Sequence, residues 1–138
     1  MGSTPRKIRV LICNEYALFR ECIKSLLREG TLIEIVGEAD TGRRAIAKAA
    51  RLRPDVVLMD LITPDLSGSE ATRRIKAVHP TVKVLILSLH DDVELASSCI
   101  EAGASGYIRQ SDQPWQLHSA IDAVCRSDEY RSQRAKTA

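Results

Sequence analysis

Residues 54–64 read Pro-Asp-Val-Val-Leu-Met-Asp-Leu-Ile-Thr-Pro, and this segment sets the architecture expected for the rest of the chain. An apolar run of this length, bounded by prolines, is too short for a buried helix and predicts a central strand covered on both faces. The run ends in the carboxylate of Asp60. Because open α/β sheets build their sites at the carboxyl ends of parallel strands, Asp60 is a candidate for chemistry, although it could instead cap the following turn.

Four further apolar segments are typical of strands, and they alternate with amphipathic segments typical of helices. Strands are expected at about residues 8–13, 33–39, 82–88 and 106–109, and helices at about 16–29, 42–52, after 68 to 78, 92–102 and 114–126. This alternation requires a parallel sheet with right-handed crossovers and helices on both faces. The predicted fold class is therefore α/β: a single-domain, flavodoxin-like, doubly wound five-stranded parallel sheet with the order 2-1-3-4-5.

Polar residues follow four of the predicted strands. In the predicted order, Asn14 and Glu15 end the first strand beside Asp60, while Ser88 and Gln110 end the fourth and fifth strands. The carboxyl ends of parallel strands share one edge of the sheet, so we expect these side chains to line one crevice. This convergence favours the functional interpretation of Asp60 over the capping one.

The 138-residue chain has the size of one domain. We expect residues 1–6 to be disordered, residues 7–126 to form the domain and residues 127–138 to be a polar tail. The 20 basic and 18 acidic residues nearly balance, which argues against a nucleic-acid-binding surface. No apolar run could span a membrane or serve as a secretory leader, so a cytoplasmic location is expected. Four scattered cysteines lack metal-ligand spacing and are expected to be buried, reduced thiols.

The chain resembles the receiver domain of two-component response regulators, most closely the NarL/FixJ-type receivers that usually precede a LuxR-type helix-turn-helix. The matching segments are residues 8–12 with 17–20 (Ile-Arg-Val-Leu-Ile and Ala-Leu-Phe-Arg), 53–60 (Arg-Pro-Asp-Val-Val-Leu-Met-Asp), 70–75 (Glu-Ala-Thr-Arg-Arg-Ile) and 101–107 (Glu-Ala-Gly-Ala-Ser-Gly-Tyr). The resemblance implies a CheY-like fold and a function in phosphorelay signal transduction, as the regulatory part of a transcriptional regulator. The tail resembles the start of a linker to a helix-turn-helix DNA-binding domain that this chain lacks.

The resemblance also implies the chemistry of the crevice. A histidine kinase, or another phosphodonor, would transfer a phosphoryl group to Asp60, which attacks phosphorus as a nucleophile. In such receivers Mg²⁺ is held by an acidic pair after the first strand, by the phosphorylated aspartate and by a backbone carbonyl two residues further on. The corresponding positions here are Asn14 with Glu15, Asp60 itself, and the carbonyl of Ile62.

Two more positions carry the switch that the resemblance implies. A hydroxyl after the fourth strand, here Ser88, would bind the phosphoryl group and draw in an aromatic ring on the fifth strand, here Tyr107. The alternatives are that Ser88 caps a turn and that Tyr107 fills an edge of the sheet.

Two positions depart from the family pattern. The acidic pair is usually Asp-Asp but is Asn14-Glu15 here, which should weaken Mg²⁺ binding because Mg²⁺ demands near-ideal octahedral geometry. The lysine that pairs with the phosphoryl group is replaced by Gln110, an amide without positive charge. Strand alternation turns Arg109 to the opposite face from Gln110, so Arg109 is not expected to substitute. We therefore expect slow phosphorylation, a poorly stabilised switched state, or independence from phosphorylation.

Two other classes of function are considered. A degenerate receiver could act as a phosphorylation-independent dimerisation or ligand-gated module, with a homodimer formed through the first helix or the last strand and helix and with Trp115 as a candidate anchor. A phosphatase of the haloacid dehalogenase kind would need a general acid two residues after Asp60, where Ile62 stands. We therefore predict that the chain is not an enzyme.

Overall fold

The computed structural model describes residues 6–28, 32–88, 92–109, 116–127 and 130–131. Gln110 and Trp115, both named in the sequence interpretation, lie outside the described residues. Of the N-terminal segment predicted to be disordered, only Arg6 is described. Its guanidinium contacts Asp55 Oδ1 at 3.1 Å, so this contact already ties Arg6 to the domain.

The described strands form one parallel sheet whose order is β2-β1-β3-β4-β5-β6. The strands are β1 (Ile8–Cys13), β2 (Ile33–Ala39), β3 (Val56–Met59), β4 (Lys83–Ser88), β5 (Gly106–Arg109) and β6 (Tyr130–Arg131). The predicted order 2-1-3-4-5 is confirmed. The short β6 was not predicted: it comes from the polar tail and pairs with β5 at Gly106 and Tyr107.

Five helices connect the described strands. They are α1 (Ala17–Arg28), α2 (Gly42–Leu52), α3 (Gly68–Val78), α4 (Val93–Glu101) and α5 (Gln116–Ser127). Thr41, Ser67 and Asp92 each accept a hydrogen bond from a backbone N–H of the first turn and so begin α2, α3 and α4.

The sheet is covered on both faces, as the continuous apolar pattern of its central strand predicts. Val57 and Met59 belong to the apolar layer under α2, α3 and α4, whereas Val56 and Leu58 belong to the layer under α1 and α5. Because successive side chains of a strand alternate between faces, β3 is buried on both sides and its carboxyl end is held rigidly.

The edge strand β2 is irregular. Val10 pairs with Ile35 but Leu11 pairs with Gly37, so one extra residue, Val36, is accommodated between them. Gly37 is tightly packed, because a Cβ there would lie 2.8 Å from a methyl carbon of Leu52.

The cysteines only partly follow the prediction. All four are free, and Cys13 and Cys99 are buried as expected, but Cys22 is exposed on α1 and Cys125 is half-buried. The apolar pattern around Cys22 therefore overstated its burial. Among the described helices, none is both long and apolar enough to cross a membrane.

Candidate functional site

Asp60 stands directly after β3, at the carboxyl edge of the sheet, and is only 8 % exposed. Its backbone N–H donates to the carbonyl of Cys13 at 3.2 Å, so the pairing of β1 and β3 continues one residue beyond the strand. The carboxylate is therefore positioned by the two central strands rather than by a mobile turn.

Asn14 hydrogen-bonds this carboxylate from the end of β1. Its Nδ2 donates to Asp60 Oδ2 at 3.1 Å, and its Oδ1 accepts from the backbone N–H of Tyr16 at 2.8 Å. Both groups of the amide are thus committed, and the geometry orients the NH₂ group towards Asp60. The prediction that the ends of the first and third strands meet is confirmed.

Arg20 fixes the end of β1 from the first helix. Its Nη1 donates to the backbone carbonyl of Asn14 at 2.6 Å, and its Nε donates to Glu38 Oε1 at 2.9 Å. Lys24 donates to the other oxygen of Glu38 at 2.7 Å. The hydrogen bond from Lys24, aided by that from Arg20, holds the pKa of Glu38 below its ordinary value. Sequence interpretation did not find Arg20, because its contact depends on the docking of α1.

The loop after β3 is held close to α3 by a glycine. The N–H of Gly68 donates to the carbonyl of Leu61 at 2.6 Å. A Cβ on Gly68 would lie 2.6 Å from the carbonyl oxygens of both Asp60 and Leu61, a distance that side chains do not tolerate. The backbone that carries Asp60 can therefore approach α3 this closely only because residue 68 has no side chain.

Asp65 ties the same loop to the start of α2. Its carboxylate accepts from the backbone N–H groups of Gly42 at 2.9 Å and Arg43 at 3.2 Å, and from Thr63 Oγ1 at 3.0 Å. Burial opposes ionisation of this carboxyl, but the two N–H donors and the hydroxyl outweigh it and lower the pKa of Asp65. An acidic group at a helix N-terminus is also favoured by the helix dipole.

Ser88 and Tyr107 lie on the other side of Asp60. Ser88 is the last residue of β4 and is buried, while Tyr107 is in the middle of β5 and only 5 % exposed. The register pairs Ile86 with Tyr107 and Ser88 with Arg109. The ring of Tyr107 packs in the same apolar layer as Cys99 of α4, so it has the inward position rather than an exposed one.

The other predicted site residues, Glu15 and Ile62, are less closely clustered around Asp60. Glu15 is exposed beside the crevice, and the side chain of Ile62 is also exposed, with its backbone bridged to Ser67. Cys13, just before Asn14, is no competing nucleophile: burial and then the charge of Asp60 raise the pKa of its thiol to about 12.

Fold and site together define a class of protein, the doubly wound α/β domains whose candidate site is a buried carboxylate at the carboxyl edge of the sheet. Comparison of sequences identifies the family. Residues 10–122 match the family described as the response regulator receiver domain, and the chain belongs to that family.

Curated relatives include a transcriptional regulatory protein and a response regulator. The chain is 36 % identical over 124 residues to the transcriptional regulatory protein DegU of Brevibacillus brevis, covering 90 % of this chain and 52 % of that protein. It is 34 % identical over 125 residues to the response regulator GacA of Pseudomonas viridiflava, covering 91 % and 58 %. The chain thus spans about half the length of these relatives.

The structure agrees with this assignment. A LuxR-family two-component response regulator from Aurantimonas sp. SI85-9A1 superposes with a TM-score of 0.88 at 29 % identity, covering 95 % of this chain and 93 % of that one. The predicted receiver fold is therefore confirmed, and the similarity to LuxR-type regulators agrees with the subfamily indicated by the sequence.

Receiver domains generally bind Mg²⁺ at the phosphorylation site, and the residues present here fit that ion poorly. Asn14 turns a hydrogen-bond donor towards the Asp60 carboxylate and commits its oxygen to Tyr16. Mg²⁺ prefers carboxylate oxygens, so without a carboxylate at residue 14 the candidate ligands that remain are Glu15, Asp60 and the Ile62 carbonyl.

Proposed function

We propose that this chain is the receiver of a two-component phosphorelay and that Asp60 is its phosphoacceptor. The observation that carries the proposal is the buried Asp60 carboxylate, held at the carboxyl edge by the backbone of β1 and oriented by the amide of Asn14. A carboxylate so fixed is pre-organised to attack an incoming electrophile.

In the proposed step, an oxygen of Asp60 attacks the phosphorus of a phosphohistidine on a kinase partner. The bond between phosphorus and the imidazole nitrogen breaks, and that nitrogen keeps the electron pair. The product is an acyl phosphate on Asp60, which water hydrolyses to reset the domain. Asn14 orients the carboxylate, and Ser88 is proposed to donate its hydroxyl to the transferred group.

The two departures from the family pattern, at Asn14-Glu15 and at Gln110, determine the rate of phosphorylation that we propose. Glu15 and Asp60 give the described part of the crevice a formal charge of −2, and Gln110 is proposed to replace the family's lysine with a neutral amide. With weak Mg²⁺ binding as well, the developing charge on the phosphoryl oxygens is less neutralised. We therefore expect phosphorylation to be slow and the acyl phosphate to be short-lived.

The test is incubation with a small phosphodonor and Mg²⁺, followed by intact-mass analysis over time. Wild-type protein is expected to gain one phosphoryl group slowly and incompletely, and Asp60→Asn to gain none. Mass gain that persists in Asp60→Asn would overturn the assignment of the acceptor. Rapid and stoichiometric phosphorylation that is lost in Asp60→Asn would refute the proposed weakness of the site.

A second candidate is a phosphorylation-independent interaction module, which two observations favour. The carboxylate of Asp60 is already hydrogen-bonded by Asn14, and the ring of Tyr107 already has the inward position that the resemblance assigns to the switched state. Such a module would form the same homodimer whether or not a phosphodonor is supplied.

Light scattering separates the two candidates. Under the phosphorelay proposal, the oligomeric state changes with phosphodonor or beryllofluoride plus Mg²⁺, and Asp60→Asn abolishes the change. An oligomeric state identical under all conditions, in a protein that is also not phosphorylated, favours the interaction module.

The wider setting is also a proposal. We propose a cytoplasmic location, residues 7–126 as the receiver, and residues from 127 onward as the start of a linker. Because the matched region is only 52 % and 58 % of the length of two relatives, one of them a transcriptional regulatory protein, the chain is proposed to regulate a helix-turn-helix DNA-binding domain. The chain is proposed to have no turnover activity of its own and to make no direct contact with DNA.

A further inference from the structure

A cavity lies at the amino edge of the sheet, where β1, β3 and β4 begin. Its lining includes Ile8 at the start of β1, Asp55 just before β3 and Lys83 at the start of β4. These three strands are neighbours in the sheet, so their amino ends form one continuous wall. The cavity has a volume of about 480 Å³, which is a usual size for a small-molecule site. Because Asp60 follows the carboxyl end of β3, this cavity is separate from the candidate phosphorylation site.

The lining of this cavity is rich in positive charge. Four of its residues are cationic: Arg6, Lys7, Arg53 and Lys83. Asp55 is the one acidic residue among the described residues that line it. The lining is thus more positive than the whole chain, whose formal net charge is only +2. Since a concave surface with one sign of charge concentrates counter-ions, the cavity favours an anionic ligand.

Asp55 balances only a small part of this charge. Its Oδ1 accepts from Nη2 of Arg6 at 3.1 Å, and its Oδ2 accepts from the backbone N–H of Arg9 at 2.8 Å. The side chain of Arg6 is 79 % exposed, so its ion pair with Asp55 is weak. That contact uses one of the five N–H donors of the guanidinium, and the others can serve a ligand.

Other side chains already serve the carbonyl groups that helix ends and turns present at this edge. Lys76 donates to the carbonyls of Pro80 at 2.9 Å and Val82 at 2.8 Å. The Nε2 of His79 donates to the carbonyl of Pro54 at 2.9 Å. The cations of the lining are therefore more numerous than the local carbonyl groups require.

Arg53 has an uncommon backbone conformation at the rim of the cavity. It ends α2 with φ 49° and ψ 60°, and among the described residues it alone has a positive φ without being a glycine. Glycine takes this left-handed conformation at lower cost and is the usual residue at such a helix end. The Nη1 of Arg53 donates to the carbonyl of Val78 at 3.2 Å, which leaves most of its donors for other partners. An exposed arginine at a position suited to glycine favours a role for that charge.

We propose that this cavity binds a small phosphorylated anion, with Arg6, Lys7 and Arg53 as the donors. A guanidinium can give two parallel hydrogen bonds to phosphate oxygens, and a lysine adds a point charge. Arg6 and Lys7 precede β1 whereas Arg53 precedes β3, so the donors reach the anion from two neighbouring strands. A compact anion suits a concave site of this size better than an extended nucleic-acid backbone does. The site does not take part in phosphoryl transfer to Asp60, and neither proposal depends on the other.

The experiment is calorimetric titration of the full chain with pyrophosphate, in buffer free of Mg²⁺ and phosphate. Wild-type protein is expected to bind one pyrophosphate, more weakly as the ionic strength rises. Lys7→Gln and Arg53→Gly should each lower the affinity roughly tenfold or more, as loss of a charged hydrogen bond predicts. Glycine relieves the left-handed backbone, so Arg53→Gly should keep its melting temperature while it loses affinity. Arg44→Gln, at an exposed arginine of α2 outside the cavity, is the matched control and should bind like wild type.

Each other outcome refutes the inference. Wild-type protein that does not bind pyrophosphate at millimolar concentration overturns it, as does equal weakening in Arg44→Gln, which would reveal a general effect of charge. Binding that disappears in Asp60→Asn would assign the anion to the opposite edge of the sheet. A DNA duplex that binds more tightly at equal phosphate concentration, with the same loss in Arg53→Gly, would assign the cations to nucleic acid. Lack of phosphorylation at Asp60, with pyrophosphate binding intact, would refute the proposed function alone.

Discussion

Asn14 donates its side-chain amide to the carboxylate of Asp60 across the ends of β1 and β3, at 3.1 Å. A carboxylate at residue 14 would instead repel Asp60 and attract a cation. Where the family resemblance implies an aspartate at residue 14, Asn14 makes a direct protein contact instead. It keeps the two strand ends together without needing an ion between them.

Asn14→Asp is expected to make the protein depend on Mg²⁺. Without the ion, the two adjacent carboxylates repel each other and lower the melting temperature. With Mg²⁺ at 100 times its dissociation constant, binding to the folded state adds about 2.7 kcal/mol, so the melting temperature should rise. Thermal melts over a Mg²⁺ titration measure this, with Asn14→Ala as the control that removes the donor without adding a ligand. An equal Mg²⁺-induced rise in wild-type protein would contradict the prediction.

Arg20→Ala is expected to lower the free energy of unfolding by about 1.5–3 kcal/mol, the range for hydrogen bonds of charged groups. The side chain is only 16 % exposed and holds both the Asn14 carbonyl and Glu38. Arg44→Ala is the matched control, because Arg44 is 66 % exposed and pairs only with Asp40 four residues before it, a contact worth about 0.3–0.5 kcal/mol. Urea unfolding measures the free energy of unfolding of both variants. Equal losses would show that the contacts of Arg20 stabilise the fold no more than a surface ion pair does.

Gly68→Ala is expected to disturb the site as well as the fold. The added methyl would meet the carbonyl oxygens of Asp60 and Leu61, and overpacking of this kind costs about 1–3 kcal/mol. Phosphorylation measured by intact mass should fall because the segment that carries Asp60 must move. Gly103→Ala, at a φ of 116° but facing only the flexible Lys76 side chain, should lower stability and leave phosphorylation intact. Unchanged phosphorylation of Gly68→Ala would indicate that the loop adapts elsewhere.

Asp65→Asn is expected to lower the melting temperature near neutral pH and to have little effect in acid. The pKa of Asp65 is lowered in the folded protein from an ordinary value of 3.8, so its ionised form stabilises the fold above that pH. The contribution is lost as the pH falls through the folded pKa, below about 3.8. Melts of both proteins from neutral pH downward should therefore converge. A constant difference in melting temperature across that pH range would show that the charge of the Asp65 carboxylate does not stabilise the N-terminus of α2.

Much of the fold follows from the sequence because each strand is short and apolar and alternates with an amphipathic helix. The contact between Asn14 and Asp60 could also be predicted, since the strand order alone brings the ends of β1 and β3 together. These are consequences of chain topology and need no knowledge of side-chain packing.

Other features depend on tertiary geometry that no local pattern encodes. The hydrogen bond from Arg20 to the Asn14 carbonyl requires α1 to pack against the sheet at a particular position relative to the end of β1. The proximity of Arg109 to Ser88 follows only from the register of β4 and β5, which alternation along one strand does not give. The pairing of residues 130–131 with β5 comes from a tail whose sequence shows no apolar periodicity, so no local pattern predicted it.

The two edges of the sheet affect how copies of this protein could associate. Exposed strand edges are the usual route to amyloid-like stacking and to continuous sheets across subunits. Here one margin is interrupted by the extra residue at Val36, and the other is shielded where the tail runs beside β5. For the described residues, association of copies through helix surfaces is therefore favoured over pairing of strand edges.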